Sequence, residues 1–134
     1  MANDFYMKGK EALKSGEIDW VADCIRVAVV DSSYTPNLIQ HQFLADIPES
    51  AVLATSELTG RHIAAGSADG DTVYLQSVKG EAVRAYVIYS DTGIRESSRL
   101  IVCVDRVHGS LEPGVRDMRI EWDRGANKVF RMPV

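Results

Sequence analysis

Residues 81–105 hold two strand-like runs around a polar turn, and this stretch limits what the chain can fold into more than any other. Val83, Ala85, Val87 and Tyr89 recur at period two, with Arg84, Tyr86 and Ile88 between them. Side chains alternate across a sheet, so both faces of such a strand carry apolar residues. Asp91-Thr92-Gly93 breaks the run, and Arg99-Leu100-Ile101-Val102-Cys103-Val104 follows it. The pattern predicts an antiparallel hairpin at the centre of a sheet that is covered on both sides.

The rest of the chain supplies the neighbours of that hairpin. Residues 24–30 are dense in β-branched side chains and end at Asp31-Ser32-Ser33, which predicts a strand closed by a turn. Period-two alternation from Val52, then Arg61 to Ala64, Thr72 to Leu75, Val115 to Trp122 and Lys128 to Met132, predicts further short strands. Residues 65–71 read as a loop, and residues 77–80 and 123–127 as turns. Asp4 is placed to cap a helix from Phe5 to about Ser15, with Gly9 weakening it and Gly16 stopping it. Thr35-Pro36 suits a second helix start, with Leu38, Ile39, Phe43 and Leu44 at helical spacing and an end near Ala45 before Pro48. The expected fold is mainly β: an antiparallel sandwich or flattened barrel, with a short N-terminal helix and one short helix after the first strand. All 134 residues fit one domain, 1–134, in which residues 1–20 form an N-terminal arm or helix.

Charge excludes some partners. Fifteen basic and nineteen acidic side chains leave a net charge of −4, which supplies no electrostatic footprint for nucleic acid. No window approaches the roughly 18 apolar residues of a membrane helix, and the opening ten residues lack the apolar core of a signal peptide. The chain is therefore expected to fold in the cytoplasm where it is made, with no membrane partner. Cys24 and Cys103 fall in predicted buried strands and read as reduced core residues.

The chemistry-bearing residues form no familiar set. His41, His62 and His108 lack the close spacing of zinc ligands, so no metal is predicted. Asp69-Gly70-Asp71 resembles a fragment of a calcium loop without its remaining ligands, and reads as a hairpin turn. Glu17 with Asp19, and Asp46 with Glu49, pair carboxylates without a further catalytic partner. The chain holds no Gly-x-Ser-x-Gly elbow and no phosphate-cradling glycine loop. No catalytic residue and no cofactor follow, and the chain reads as a non-enzyme. Phe5, Tyr6 and Met7 beside Lys8 and Lys10 are an interface-like mixture of aromatic, methionine and basic side chains. They read either as a partner contact or as a helix packing on its own sheet.

The residues that are most distinctive lie along the whole chain: residues 1–13, Gly16-Glu17-Ile18-Asp19-Trp20, Tyr34-Thr35-Pro36-Asn37-Leu38, His41-Gln42-Phe43-Leu44, Val87-Ile88-Tyr89-Ser90-Asp91-Thr92-Gly93 and Trp122-Asp123-Arg124-Gly125-Ala126-Asn127. Through them the chain resembles a family of small structural proteins encoded by tailed bacteriophages and prophages. The resemblance implies a virion component, best fitted as a cement or decoration protein on the outer capsid surface that stabilises the expanded shell. It implies the major capsid protein as partner, self-association as a dimer or trimer, and no catalytic residues. A tail or head-tail connector component is the alternative implied.

Overall fold

The computed structural model describes residues 3–64, 66–78, 83–105, 116–120 and 130–131. Strand β1 (Asn3–Phe5) leads into helix α1 (Met7–Ser15), and β2 (Ile25–Asp31) follows. A long connection then reaches β3 (Val52–Glu57), β4 (His62–Ala64), β5 (Ser67–Asp69) and β6 (Val73–Val78). The central hairpin is β7 (Val83–Ser90) with β8 (Arg99–Asp105), and β9 (Arg116–Ile120) and β10 (Phe130–Arg131) complete the described elements.

The main sheet has the order β1-β8-β7-β2-β3, and smaller sheets β10-β5-β4 and β6-β9 accompany it. Every pairing is antiparallel. The architecture is mainly β and sandwich-like, and it does not close into a barrel.

Alternation along the central strands sorts the core into two layers. Ile25, Val27, Val29, Tyr86 and Ile88 meet Ala68, Val73, Leu75 and Ile120 of the smaller sheets, with Leu58 just past β3, Trp20 and Leu13. Ala28, Val30, Ala85, Val87 and Tyr89 face the opposite way, against Tyr6, Tyr34, Leu44, Ile47 and Ala51. The second layer is thus supplied by Tyr6 and by the connection between β2 and β3. Strand β8 carries one extra residue, Ile101: Leu100 faces Tyr89 while Val102 faces Ile88. A bulge of this kind bends its strand and leaves one residue out of the cross-strand pairing.

The outer edge of β8 is covered by two separate segments, residues 42–44 and residues 3–6. Leu44 donates to Ser98 O, and Leu100 donates to Gln42 O. Tyr6 donates to Ile101 O, and β1 pairs from Phe5 opposite Val102 to Asn3 opposite Val104. An open edge is a template for unwanted strand pairing, and these segments cover β8 from Arg99 to Val104.

Several expectations are corrected. Helix α1 begins at Met7, not Phe5, and Asp4 is a strand residue opposite Cys103 instead of a cap. Gly16 stops the helix as expected, in the left-handed region at φ 84°. The second helix does not form: residues 35–43 are non-helical, and two 3₁₀ turns, Leu44–Asp46 and Glu49–Ala51, follow. Competing hydrogen bonds explain this. Asn37 Oδ1 takes the amides of Ile39 and Gln40, and Asp46 Oδ2 takes those of Gln42 and Phe43. Residues 67–69 of the expected loop are strand β5, paired back onto β4. Cys24 is exposed just before β2, while Cys103 is buried, and no disulfide joins them. Cys103 faces Val87, which faces Ala28 four residues past Cys24, so the cysteines lie apart in the sheet. Ser77 and Val78 of the turn expected at 77–80 belong to β6, while residues 79–80, His108 and the turn at 123–127 lie outside the described residues.

Candidate functional site

The aromatic and basic group at the N-terminus divides into two populations. Phe5 is partly buried against the core, and Tyr6 is fully buried. Tyr6 therefore supports the fold and offers no surface to a partner. Met7 is 43 % exposed, and Lys10 is exposed. Lys8 pairs with Glu11 at 3.3 Å, one helical turn on. Lys10 and Lys14 make no ion pair among the described residues. Met7, Lys10 and Lys14 recur at three and four residues, which places them on one side of α1, while Gly9, Ala12 and Leu13 are buried on the other.

Tyr6 connects this helix to the turn that follows β2. Its hydroxyl lies 2.7 Å from that of Tyr34, which lies 2.9 Å from His41 Nδ1. The Asn37 amide also donates to His41 Nδ1, at 3.1 Å, which assigns the ring proton to Nε2. The chain then runs one way: Tyr6 O–H donates to Tyr34, and Tyr34 O–H donates to His41. Burial pushes the Tyr34 hydroxyl up to about 12, against the opposing pull of the bond from Tyr6. Burial, with Cys103 and Tyr34 nearby, raises Tyr6 further, so both phenols stay neutral donors.

This network holds a turn with an exposed apex. Asn37 Oδ1 accepts from Ile39 N at 3.2 Å and from Gln40 N at 3.0 Å, and Asn37 O accepts from His41 N at 2.9 Å. Met7 N donates to Leu38 O at 2.8 Å, so the start of α1 and the turn are joined through their backbones. Ile39 is 67 % exposed at the apex. Sequence periodicity placed Ile39 at helical spacing with Leu38, Phe43 and Leu44 and did not single it out as a surface residue. The available signal was Asn37 two residues earlier, whose side chain competes with helix formation by capturing nearby amides.

A cleft of about 220 Å³ lies at another corner, bordered by Glu17, Asp23, Cys24, Asp91 and Arg99 among others. Its charges are already matched. Arg99 pairs with Glu17 at 3.3 Å and covers the Phe43 ring at 4.9 Å, and Arg26 approaches Asp91 at 3.9 Å. Asp23 Oδ2 accepts from Asp19 N at 2.9 Å. Nothing in this wall combines an activated nucleophile with a histidine base.

The remaining charged groups hold the backbone. Arg61 donates to the carbonyls of Trp20 at 2.8 Å, Val21 at 3.2 Å, Asp23 at 2.5 Å and Leu58. Arg95 donates to Leu44 O at 3.2 Å and Ile47 O at 2.6 Å, and lies 3.6 Å from Glu49. Asp69 receives the Gly70 amide and faces His62 at 3.5 Å, while Asp71 is approached by Thr59 at 3.4 Å. Among the described residues no three His, Cys, Asp or Glu side chains are grouped to hold a metal ion. Nor is any described helix long and apolar enough to cross a membrane. No protein-family model, curated protein or solved structure matches this chain.

Proposed function

We propose that this chain is a non-enzymatic structural protein of a tailed-phage particle, a cement protein on the outer capsid that stabilises the expanded shell. The observation that carries the reading is how the side chains are used. Arg61, Arg95 and Arg99 are committed to internal carbonyls, carboxylates and a ring, which stiffens the body. Met7 and Ile39 stay exposed, and Lys10 and Lys14 on the Met7 side of α1 make no ion pair among the described residues, as suits contact with another protein. The resemblance along the sequence supports the same reading.

Function then follows from binding thermodynamics. A protein that binds the expanded shell and not its precursor adds its binding free energy to the expanded state. Repeated lattice contacts favour symmetric self-association, as a dimer or trimer.

The test is the copy number of this chain in purified particles, measured by quantitative mass spectrometry against the major capsid protein. A ratio near unity, or a simple fraction of it, is expected. A handful of copies would replace the cement role with a tail or head-tail connector role, and complete absence would sink a virion role altogether.

A further inference from the structure

We infer that His41 is an acid-released latch: its neutral ring closes the turn at 37–41 onto the core, and a proton on Nδ1 opens that turn. Two donors converge on this one nitrogen, the Asn37 amide at 3.1 Å and the Tyr34 hydroxyl at 2.9 Å. Asn37 O accepts from His41 N at 2.9 Å in return, so the two residues are joined in both directions. A hydroxyl can reverse its bond, but a backbone amide has only a hydrogen to offer. A proton on Nδ1 therefore sets two N–H groups against each other. It also forces the Tyr34 oxygen to accept from the ring, which turns the Tyr34 O–H towards Tyr6 and the Tyr6 O–H towards Cys103. Because the closed turn takes only the unprotonated ring, closure is favoured as pH rises and lost as it falls.

The groups around the ring give the charged form somewhere else to go. Tyr34 stacks on the imidazole with centroids 5.4 Å apart, and Tyr6 and Cys103 lie beyond it. Both phenols are neutral and offer an imidazolium no countercharge. Asp46, on the first 3₁₀ turn, does: burial opposes its ionisation, but the Gln42 and Phe43 amides and His41 itself outweigh that. A charged ring is thus repelled by the Asn37 amide and drawn towards Asp46. His62 shows the opposite arrangement. Its Nδ1 lies 3.0 Å from Gly60 O and its Nε2 3.5 Å from Asp69 Oδ2, acceptors that suit a protonated ring. His41 is only half-buried, so solvent protons reach it. Release also spreads beyond the turn, since Leu38 O takes the Met7 amide at the start of α1 and Gln42 O takes that of Leu100 on β8.

The test is hydrogen exchange on the isotope-labelled full chain at about pH 7.5 and about pH 5.5, the range in which histidine changes charge, with the His41 ring nitrogens read in the same samples. At the higher pH the ring should carry its proton on Nε2. At the lower pH the amides of Met7, Asn37, Ile39, Gln40 and His41 should lose protection at least about 10-fold after correction for intrinsic rates, while those of β7 keep theirs. His41→Gln, which cannot take the charge, should show no such response to pH. A charged His41 beside unchanged protection would refute the latch. So would a ring that stays neutral at the lower pH, or a His41→Gln chain that still opens there. If His41→Gln fails to close the turn at either pH, the wild-type comparison alone decides.

Discussion

Gly9 should resist replacement by alanine, although it sits inside a helix where alanine is normally preferred. Exchanging a mid-helix glycine for alanine ordinarily stabilises by about 1 kcal/mol. Here a methyl group would lie 2.7 Å from Ile101 Cα and 2.9 Å from Ile101 O, and closer still to Leu100 O. All three are backbone atoms of β8 and cannot rotate aside. Relief requires α1 to move off β8 by about 1 Å, which loosens Ala12 and Leu13 in the core and strains the Tyr6 bond to Ile101 O. Overpacking of this kind costs roughly 1–3 kcal/mol, and the loosened contacts add to it. Against the propensity gain, the net expectation for Gly9→Ala is a loss of about 2 kcal/mol, or near 8 °C in melting temperature at roughly 4 °C per kcal/mol. Urea denaturation at neutral pH, with Lys10→Ala as a surface control in the same helix, measures it. A Gly9→Ala chain as stable as the wild type, or more so, would refute the close approach of helix and strand.

Other perturbations test other contacts. Arg61→Met should cost about 2 kcal/mol or more by urea denaturation, because four backbone carbonyls lose a charged donor, and Arg61→Lys should recover little since an ammonium lacks the guanidinium fork. Equal stability of Lys and Arg at this position would contradict the clamp. Tyr34→Phe takes from the fully buried Tyr6 hydroxyl its oxygen partner at 2.7 Å, leaving it only the weaker Cys103 thiol, and should cost about 1–3 kcal/mol. Adding Tyr6→Phe to it should cost less than the two single losses summed, and strict additivity in that thermodynamic cycle would argue against coupling. Burial opposes ionisation of Asp46, but the Gln42 and Phe43 amides and nearby His41 outweigh it and hold the carboxyl below its ordinary 3.8. A depressed folded value means that the carboxylate stabilises the fold above pH 3.8 and loses that contribution as pH falls towards the folded value. The advantage of wild type over Asp46→Asn in urea should therefore shrink below pH 3.8, and a gap that stays constant into acid would contradict it.

The central hairpin was legible because nothing competes with its pattern. Tyr86 and Ile88 point one way and Ala85, Val87 and Tyr89 the other, as alternation requires of a doubly covered strand. Local signals misled where tertiary pairing outbid them. Thr35-Pro36 and the spacing of Leu38 to Leu44 describe a sound helix, yet residues 42–44 gain more by bonding to the edge of β8. Asp4 looks like a cap for the same reason that it fails as one: a residue some hundred positions away takes its backbone. Gly9 reads as a weakness in a helix until Ile101 is seen beneath it. Of the residues at the candidate contact, Met7 and Lys10 were readable from composition at the N-terminus. Ile39 was not, because its exposure depends on Asn37 capturing amides that a helix would have used.

The two-part cover on β8 also sets an order of events during synthesis. Phe5 and Val102 are partners about a hundred residues apart in sequence, so at 5–20 residues per second roughly 5–20 s separate their emergence from the ribosome. The sealing segments are made first and wait for the strand. When β8 appears, its bare edge meets covers already in place on the same chain, and the interval in which a neighbouring nascent chain could add a strand is short. A circular permutant carrying residues 1–16 after the present last residue would reverse that sequence, holding β8 uncovered while the remaining chain is translated. The native order thus guards the edge in time as well as in space.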